Sequence, residues 1–388
     1  MSERKQDLTH IVGTFLIQAE GSFLNGAGLG TGEDRNVVIT KTFSDFKDKV
    51  PYVSSQAWKR WLRNTFQEEY PDYPPAIIKQ IHANIKGNTD KIGTDNDPIK
   101  FPEDDIFGYM KTAAKDDAQK KQERRNNGDP DDDTNEGDNN PDEIIKKNKG
   151  GDDVKSIMRP APFSASILKS LRKNGWKGKD EAFVHLQEGT PQPYTTEFFN
   201  TQLQGIFSLN YSRLGVFRNE GDRIELDKEW VKKYEGEEKI IREEKTATGT
   251  GGFYRVVDNK RKERASAILN ALAIMRGGAK QAQFATDVAP KLIIVVGLNC
   301  GNLIFNDGLL DDTKEGPILN MEALKEIILD YKDRIITPVY IGVRTSYLSN
   351  EKDIKEKIED INKEINPKKI IISTPINAIK ELTEHLPL

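Results

Sequence analysis

Gln56, Lys59, Arg60 and Arg63 recur at intervals of three and four residues, the spacing that places side chains on one face of a helix. An amide and three cations in that pattern suit a chain of phosphates, which calls for positive charge and donors but reads no base. Ser54 and Ser55 precede them and supply an N-cap, because a serine hydroxyl accepts from an otherwise unpaired N–H of the first turn. The helix start adds its own free N–H groups and the positive end of its dipole to the same surface. Trp58, Trp61, Leu62 and Phe66 fall on the other side and are expected in a core. A core helix with a solvated basic face has the same spacing, so the pattern alone leaves both readings open.

Further cations lie near glycines or turns. Lys41 sits within a short strand expected at residues 36–43, and Arg159 within Met158-Arg159-Pro160. Arg213 and an arm around residues 255–264 add to them. Arg276-Gly277-Gly278-Ala279-Lys280-Gln281 follows a helix expected at residues 265–275. A glycine after the last turn is the ordinary C-cap, yet paired glycines also let a backbone approach a ligand closely. Residues 21–32 are glycine-rich too, but no Gly-Lys-Ser/Thr closes them into a phosphate-binding loop.

Other chemistries lack their residues. His10, His82, His185 and His385 are scattered, and no Cys-x-x-Cys or His-Glu-x-x-His occurs, which argues against zinc. No Gly-x-Ser-x-Gly elbow is present. The strand at residues 291–297 runs into Leu298-Asn299-Cys300-Gly301 without completing a dinucleotide fingerprint. Cys300, the single cysteine, excludes an internal disulfide and reads as a buried thiol. No cofactor is expected.

The chain has 388 residues, 31% of them charged, and no apolar run near the length of a membrane span. Residues 1–6 are polar and hold no signal-peptide core, so a cytoplasmic location is expected. The net charge of -4 hides an uneven distribution. Residues 126–145 carry eight acids and no base, and that stretch is too poor in apolar residues to offset the entropy of ordering.

The elements that must position the cations read as a mixed α+β frame. Strands are expected at residues 9–20, 181–187, 194–199, 203–217 and 291–297, and helices at 54–66, 76–85 and 265–275. A highly charged excursion, 218–262, reads as a long hairpin or arm. The tail beyond residue 320 alternates helix and strand. Strand, helix, strand, strand, helix, strand is the ferredoxin-like order, and its sheet is a common platform for single-stranded RNA.

Phe15-Leu16-Ile17-Gln18-Ala19-Glu20-Gly21, Tyr52-Val53-Ser54-Ser55-Gln56-Ala57-Trp58-Lys59-Arg60, Asp105-Ile106-Phe107-Gly108-Tyr109-Met110 and Gly205-Ile206-Phe207-Ser208-Leu209 resemble the Cas7 backbone subunits of type I CRISPR effector complexes (Cascade). The nearest branch is Cst2 or DevR, typical of subtype I-B. Arg276-Gly277-Gly278-Ala279-Lys280-Gln281 before an apolar strand fits as well. The resemblance implies an RRM-like palm (residues 1–69, 152–217 and 260–388, the last with a strand–helix extension). It also implies a helical fingers insertion (70–151) and a β-hairpin thumb (218–259). It further implies a helical filament of identical copies along the crRNA, pairing of the guide with target DNA, and Cas5, Cas8 and Cas6-type partners in antiviral defence. Such subunits do not cut nucleic acid themselves. RNA contacts are then expected at Lys41, Ser54, Gln56, Lys59, Arg60, Arg63, Arg159, Arg276, Gly277, Gly278, Lys280 and Gln281. The alternatives are a guide-processing RNA endonuclease of the same RAMP superfamily, a transcriptional regulator, and a nucleotide-binding tail. No helix-turn-helix is evident for the regulator.

Overall fold

The computed structural model describes residues 7–32, 35–76, 79–83, 89–111, 156–172, 176–184, 188–190, 192–221, 223–243, 251–306, 308–365 and 369–387. The acidic stretch at 126–145 lies outside them. In chain order the first elements are β1 (His10–Ser22), β2 (Gly26–Leu29), β3 (Val37–Thr40), β4 (Thr42–Asp45), β5 (Asp48–Val53) and α1 (Ser55–Glu69). Next come β6 (Lys79–Ala83), β7 (Thr89–Gly93), α2 (Pro102–Phe107), β8 (Tyr109–Lys111), β9 (Ile157–Arg159), β10 (Phe163–Ala165) and β11 (Leu168–Ser170). The middle of the chain holds β12 (Trp176–Val184), β13 (Gln192–Asn210), β14 (Val216–Glu220), β15 (Arg223–Ile224), α3 (Lys228–Gly236), β16 (Ile240–Glu243), β17 (Gly251–Val256) and α4 (Asp258–Ala273). The remainder is α5 (Gln281–Phe284), β18 (Leu292–Leu298), β19 (Leu310–Thr313), β20 (Gly316–Leu319), α6 (Met321–Asp330), β21 (Val339–Val343), α7 (Glu351–Glu364), β22 (Ile370–Ser373) and α8 (Pro375–Glu384).

The main sheet runs β22-β21-β18-β1-β13-β11-β5-β4, with β10, β12 and β3 also bonded to β13. Strand β1 lies inside it, antiparallel to β13 on one side and β18 on the other. Both of its faces are covered, which is why it reads as an almost unbroken apolar run rather than an alternation. Ile11, Phe15 and Ile17 share a core with Trp58, Leu62 and Phe66 of α1, Ile268 and Leu272 of α4, and Ile379 and Leu382 of α8. Val12 and Leu16 face a second core with Leu324 and Ile328 of α6 and Ile354 and Ile358 of α7. Gly13 is required at the crossing, since a Cβ there would lie 2.6 Å from the Phe207 ring and 2.7 Å from the Ile294 carbonyl oxygen. The chain order β1, α1, β11, β13, α4, β18 produces the neighbouring order β18-β1-β13-β11, antiparallel throughout.

A second sheet runs β16-β17-β14-β15-β9-β8 and is closed by α3 over Phe217, Leu226, Tyr234, Ile240 and Val256. The expected thumb is therefore more than a hairpin. β16 and β17 do form one, but β14 extends the pairing, and β8 and β9 continue the sheet from segments expected in the fingers and palm. The strand expected over residues 203–217 is broken in the same region. β13 ends at Asn210, whose Oδ1 accepts from the Arg213 N–H at 3.1 Å, and Gly215 turns the chain at φ +67 before β14.

The described part of residues 70–151 holds β6, β7, β8 and the six-residue α2, so the expected helix at 76–85 gives way to a strand pair. Ile81, within β6, is β-branched and favours a strand once a partner is present. Among the described residues no helix is long and apolar enough to cross a membrane.

Candidate nucleic-acid interface

The start of α1 forms as its sequence dictates. Ser54 has extended backbone angles and accepts from the Ala57 N–H at 3.4 Å, so its hydroxyl is engaged as the N-cap. The Ser54 N–H donates to Asn25 Oδ1 at 3.1 Å, and the Lys41 N–H donates to the Asn25 carbonyl at 3.0 Å. One asparagine thus fixes Lys41, between β3 and β4, beside the helix start.

Gln56, Lys59, Arg60 and Arg63 come together as read from the sequence. With Phe107 of α2 they line an open depression of about 220 Å³. Gln56 and Arg60 are exposed, whereas Lys59 and Arg63 are half-buried. Burial holds the Lys59 ammonium below the ordinary lysine range, and the Arg63 charge one turn away adds to this. The Arg63 guanidinium lies 4.7 Å from the Phe107 ring centre, with its Nε 3.6 Å from Glu103 Oε1. Glu103 is also taken by Gln67 Nε2 at 2.5 Å and the Ala76 N–H at 3.0 Å. Burial raises its carboxyl above the usual range, against the pull of Arg63. No ion pair engages Lys59 or Arg60 among the described residues. Three neighbouring cations beside one buried carboxylate leave the depression with an excess of positive charge.

The 276–281 loop lies elsewhere. It packs on Trp61, Thr65 and Glu68, a flank of α1 other than the one that carries Gln56, Lys59, Arg60 and Arg63. Arg276 pairs with Glu68 at 2.8 Å and Glu69 at 2.7 Å. Gly277 has φ +147, and a Cβ on it would lie 2.4 Å from Trp61 Cγ. Gly278 has φ +106 and abuts Leu24. The close approach these glycines permit is thus to the protein's own side chains. Gln281 Nε2 donates to the Gly277 carbonyl. Lys280 donates to Thr196 Oγ1 at 2.6 Å, with its ammonium 5.2 Å from the Phe23 ring centre.

Arg159 must be removed from the set. Its side chain is 0% exposed and donates to Asp105 at 2.5 Å and Glu225 at 3.1 Å. It also donates to the carbonyls of Val216 at 2.6 Å and Arg213 at 2.7 Å. A cation so enclosed cannot meet an outside phosphate. Arg213, the neighbouring cation, is likewise held by Glu225. Glu103 and Phe107 join the site without being marked by any sequence spacing. Phe107 stands in Asp105-Ile106-Phe107-Gly108-Tyr109-Met110, but its link to Arg63, 44 positions earlier, leaves no local signal. No group of three or more His, Cys, Asp or Glu that could hold a metal occurs among the described residues.

No family model and no curated protein matches the chain. Solved structures do. A chain of a "CRISPR RNA-guided surveillance complex, pre-nicking" superposes with a TM-score of 0.50 at 11% identity, over 98% of this chain and 100% of that one. A chain of a "CRISPR RNA-guided surveillance complex" gives 0.44 at 10% identity, over 97% and 99%. At such identities the likeness is one of fold: the first of these shares this mixed α+β architecture over nearly its whole length.

Proposed function

We propose that the chain is a Cas7-like backbone subunit of a type I Cascade, of the Cst2/DevR kind, that grips a crRNA by its sugar-phosphate chain and offers the bases to target DNA. The observation that carries this is the depression on α1, where Gln56, Lys59, Arg60 and Arg63 converge beside a capped helix start. Those groups serve phosphate and ribose and leave base edges unread, as a guide of changing sequence requires. The antiparallel order β18-β1-β13-β11 supports an RRM-like palm. The likeness of fold to a surveillance-complex chain is consistent with the same role. In this reading the protein works in the cytoplasm, lines up with copies of itself, meets Cas5, Cas8 and Cas6-type subunits, and cuts no nucleic acid.

Arg60 gives the cleanest test, because it is exposed and makes no ion pair among the described residues. Affinity for two single-stranded RNAs of unrelated sequence is measured against salt. Arg60→Ala weakens both alike and lowers the logarithmic salt slope by about 0.7 for one lost phosphate contact. A slope equal to that of the unaltered chain removes Arg60 from the interface. Specific cutting of repeat RNA by the pure protein favours the endonuclease reading instead.

A further inference from the structure

We propose that Glu103 and Phe107 are positioning residues that hold the Arg63 guanidinium as a ready-made fork for one phosphate. This rests on the RNA-holding reading above and says how its central arginine works.

Both residues come from α2, four positions apart, and so project from one face of that short helix. Glu103 meets Arg63 at the Nε edge, 3.6 Å away, and is itself fixed from two other sides by Gln67 and the Ala76 N–H. The Arg63 guanidinium carbon lies over the Phe107 ring, 4.7 Å from its centre, and Phe107 is itself held edge-on by Phe163, with ring centres 5.8 Å apart. The guanidinium is therefore flanked by a carboxylate at its Nε and by an aromatic ring. Its two terminal nitrogens make no hydrogen bond among the described residues. Arg63 lines the depression together with Lys59 and Arg60. A planar cation held this way presents two parallel N–H donors to two phosphate oxygens. Its rotamers are restricted before the ligand arrives, so binding loses less freedom. Lysine keeps the charge but has no fork.

Two measurements on the full chain test this. In the first, RNA affinity is titrated against salt. Arg63→Lys is expected to bind about tenfold more weakly with an unchanged slope, since charge is kept and geometry lost. Phe107→Leu behaves like Arg63→Lys, and Phe107→Tyr restores binding because the ring is kept. Glu103→Gln also weakens binding. A carboxylate that merely competed with phosphate would, on removal, strengthen it. In the second, the Arg63 Nε–H is followed by nitrogen NMR in the RNA-free protein, where it is expected to be ordered and slow to exchange. Phe107→Leu or Glu103→Gln releases it. An Arg63→Lys variant that binds like the unaltered chain overturns the fork, as does a freely rotating Arg63. If the unaltered chain binds no RNA while Arg63 is ordered, the RNA-holding reading fails and the positioning stands.

Discussion

The Arg159 guanidinium touches two carboxylates, Asp105 and Glu225, and none of the three side chains is exposed to solvent. Arg264 joins Asp105 at 2.8 Å, and the Gly215 N–H donates to the same carboxylate at 2.9 Å. Arg213 and Arg223 complete the ring around Glu225 at 2.5 Å and 2.7 Å. These contacts tie α2, β9, β14 and α4 into one junction. Removing one member of a buried ion network strands the others, at a cost of about 3 kcal/mol. Arg159→Ala is therefore expected to lower the urea midpoint clearly, yet to leave the salt slope of RNA binding unchanged at a temperature where the variant is folded. A fallen slope with an unmoved midpoint puts Arg159 back at the interface. Sequence could not separate Arg159 from Arg60. In Ile157-Met158-Arg159 the arginine takes an inward strand position and the methionine the outward one, an inversion permitted only by acids 54 positions before and 66 after.

At the scale of the element, α1 was legible and α2 was not. Fifteen residues of α1 repeat one pattern, so periodicity and the Ser54 cap foretold both the buried tryptophans and the cation face. Six residues give α2 no period to read. Its first turn carries Glu103, Asp104 and Asp105, all buried, where charged residues ordinarily mark a surface. The helix closes over them because each acid has a partner elsewhere in the chain. Asp104 has the weakest support: Thr94 donates to Oδ1 at 2.8 Å, but Oδ2 is buried without a partner. Burial raises its carboxyl from 3.8 to about 6. The folded protein therefore holds this proton longer than the unfolded chain does. The stability this contributes is fully present below pH 3.8 and is lost as pH rises through about 6. The gap corresponds to about 3 kcal/mol at full titration. Asp104→Asn cannot ionise and keeps the Thr94 contact. Its melting temperature should exceed that of the unaltered chain at pH 8, with the advantage disappearing toward pH 4. A difference that stays constant across that range means Asp104 is not strained by its charge.

At the scale of the whole molecule, the proposed function sets an acidic protein to hold a polyanion. The net charge is -4, while the eight acids of residues 126–145 face no base within that stretch. Changing those eight to their amides turns -4 into +4 without altering chain length. Such charges act on RNA at long range and mainly on its arrival, because steering governs encounter while close contacts govern escape. Their reach is set by salt: the Debye length is about 30 Å at 0.01 M and about 3 Å at 1 M. The amide variant should therefore associate with single-stranded RNA faster at low salt, on the order of tenfold. Its dissociation rate should be unchanged, and the gain should vanish at high salt. Stopped-flow fluorescence across a salt series reads both rates. Equal association rates at low salt would mean that the acidic stretch is screened from the path of the RNA. A slower dissociation that persists in high salt would mean instead that those acids make close contact with the bound RNA or with the surface that holds it.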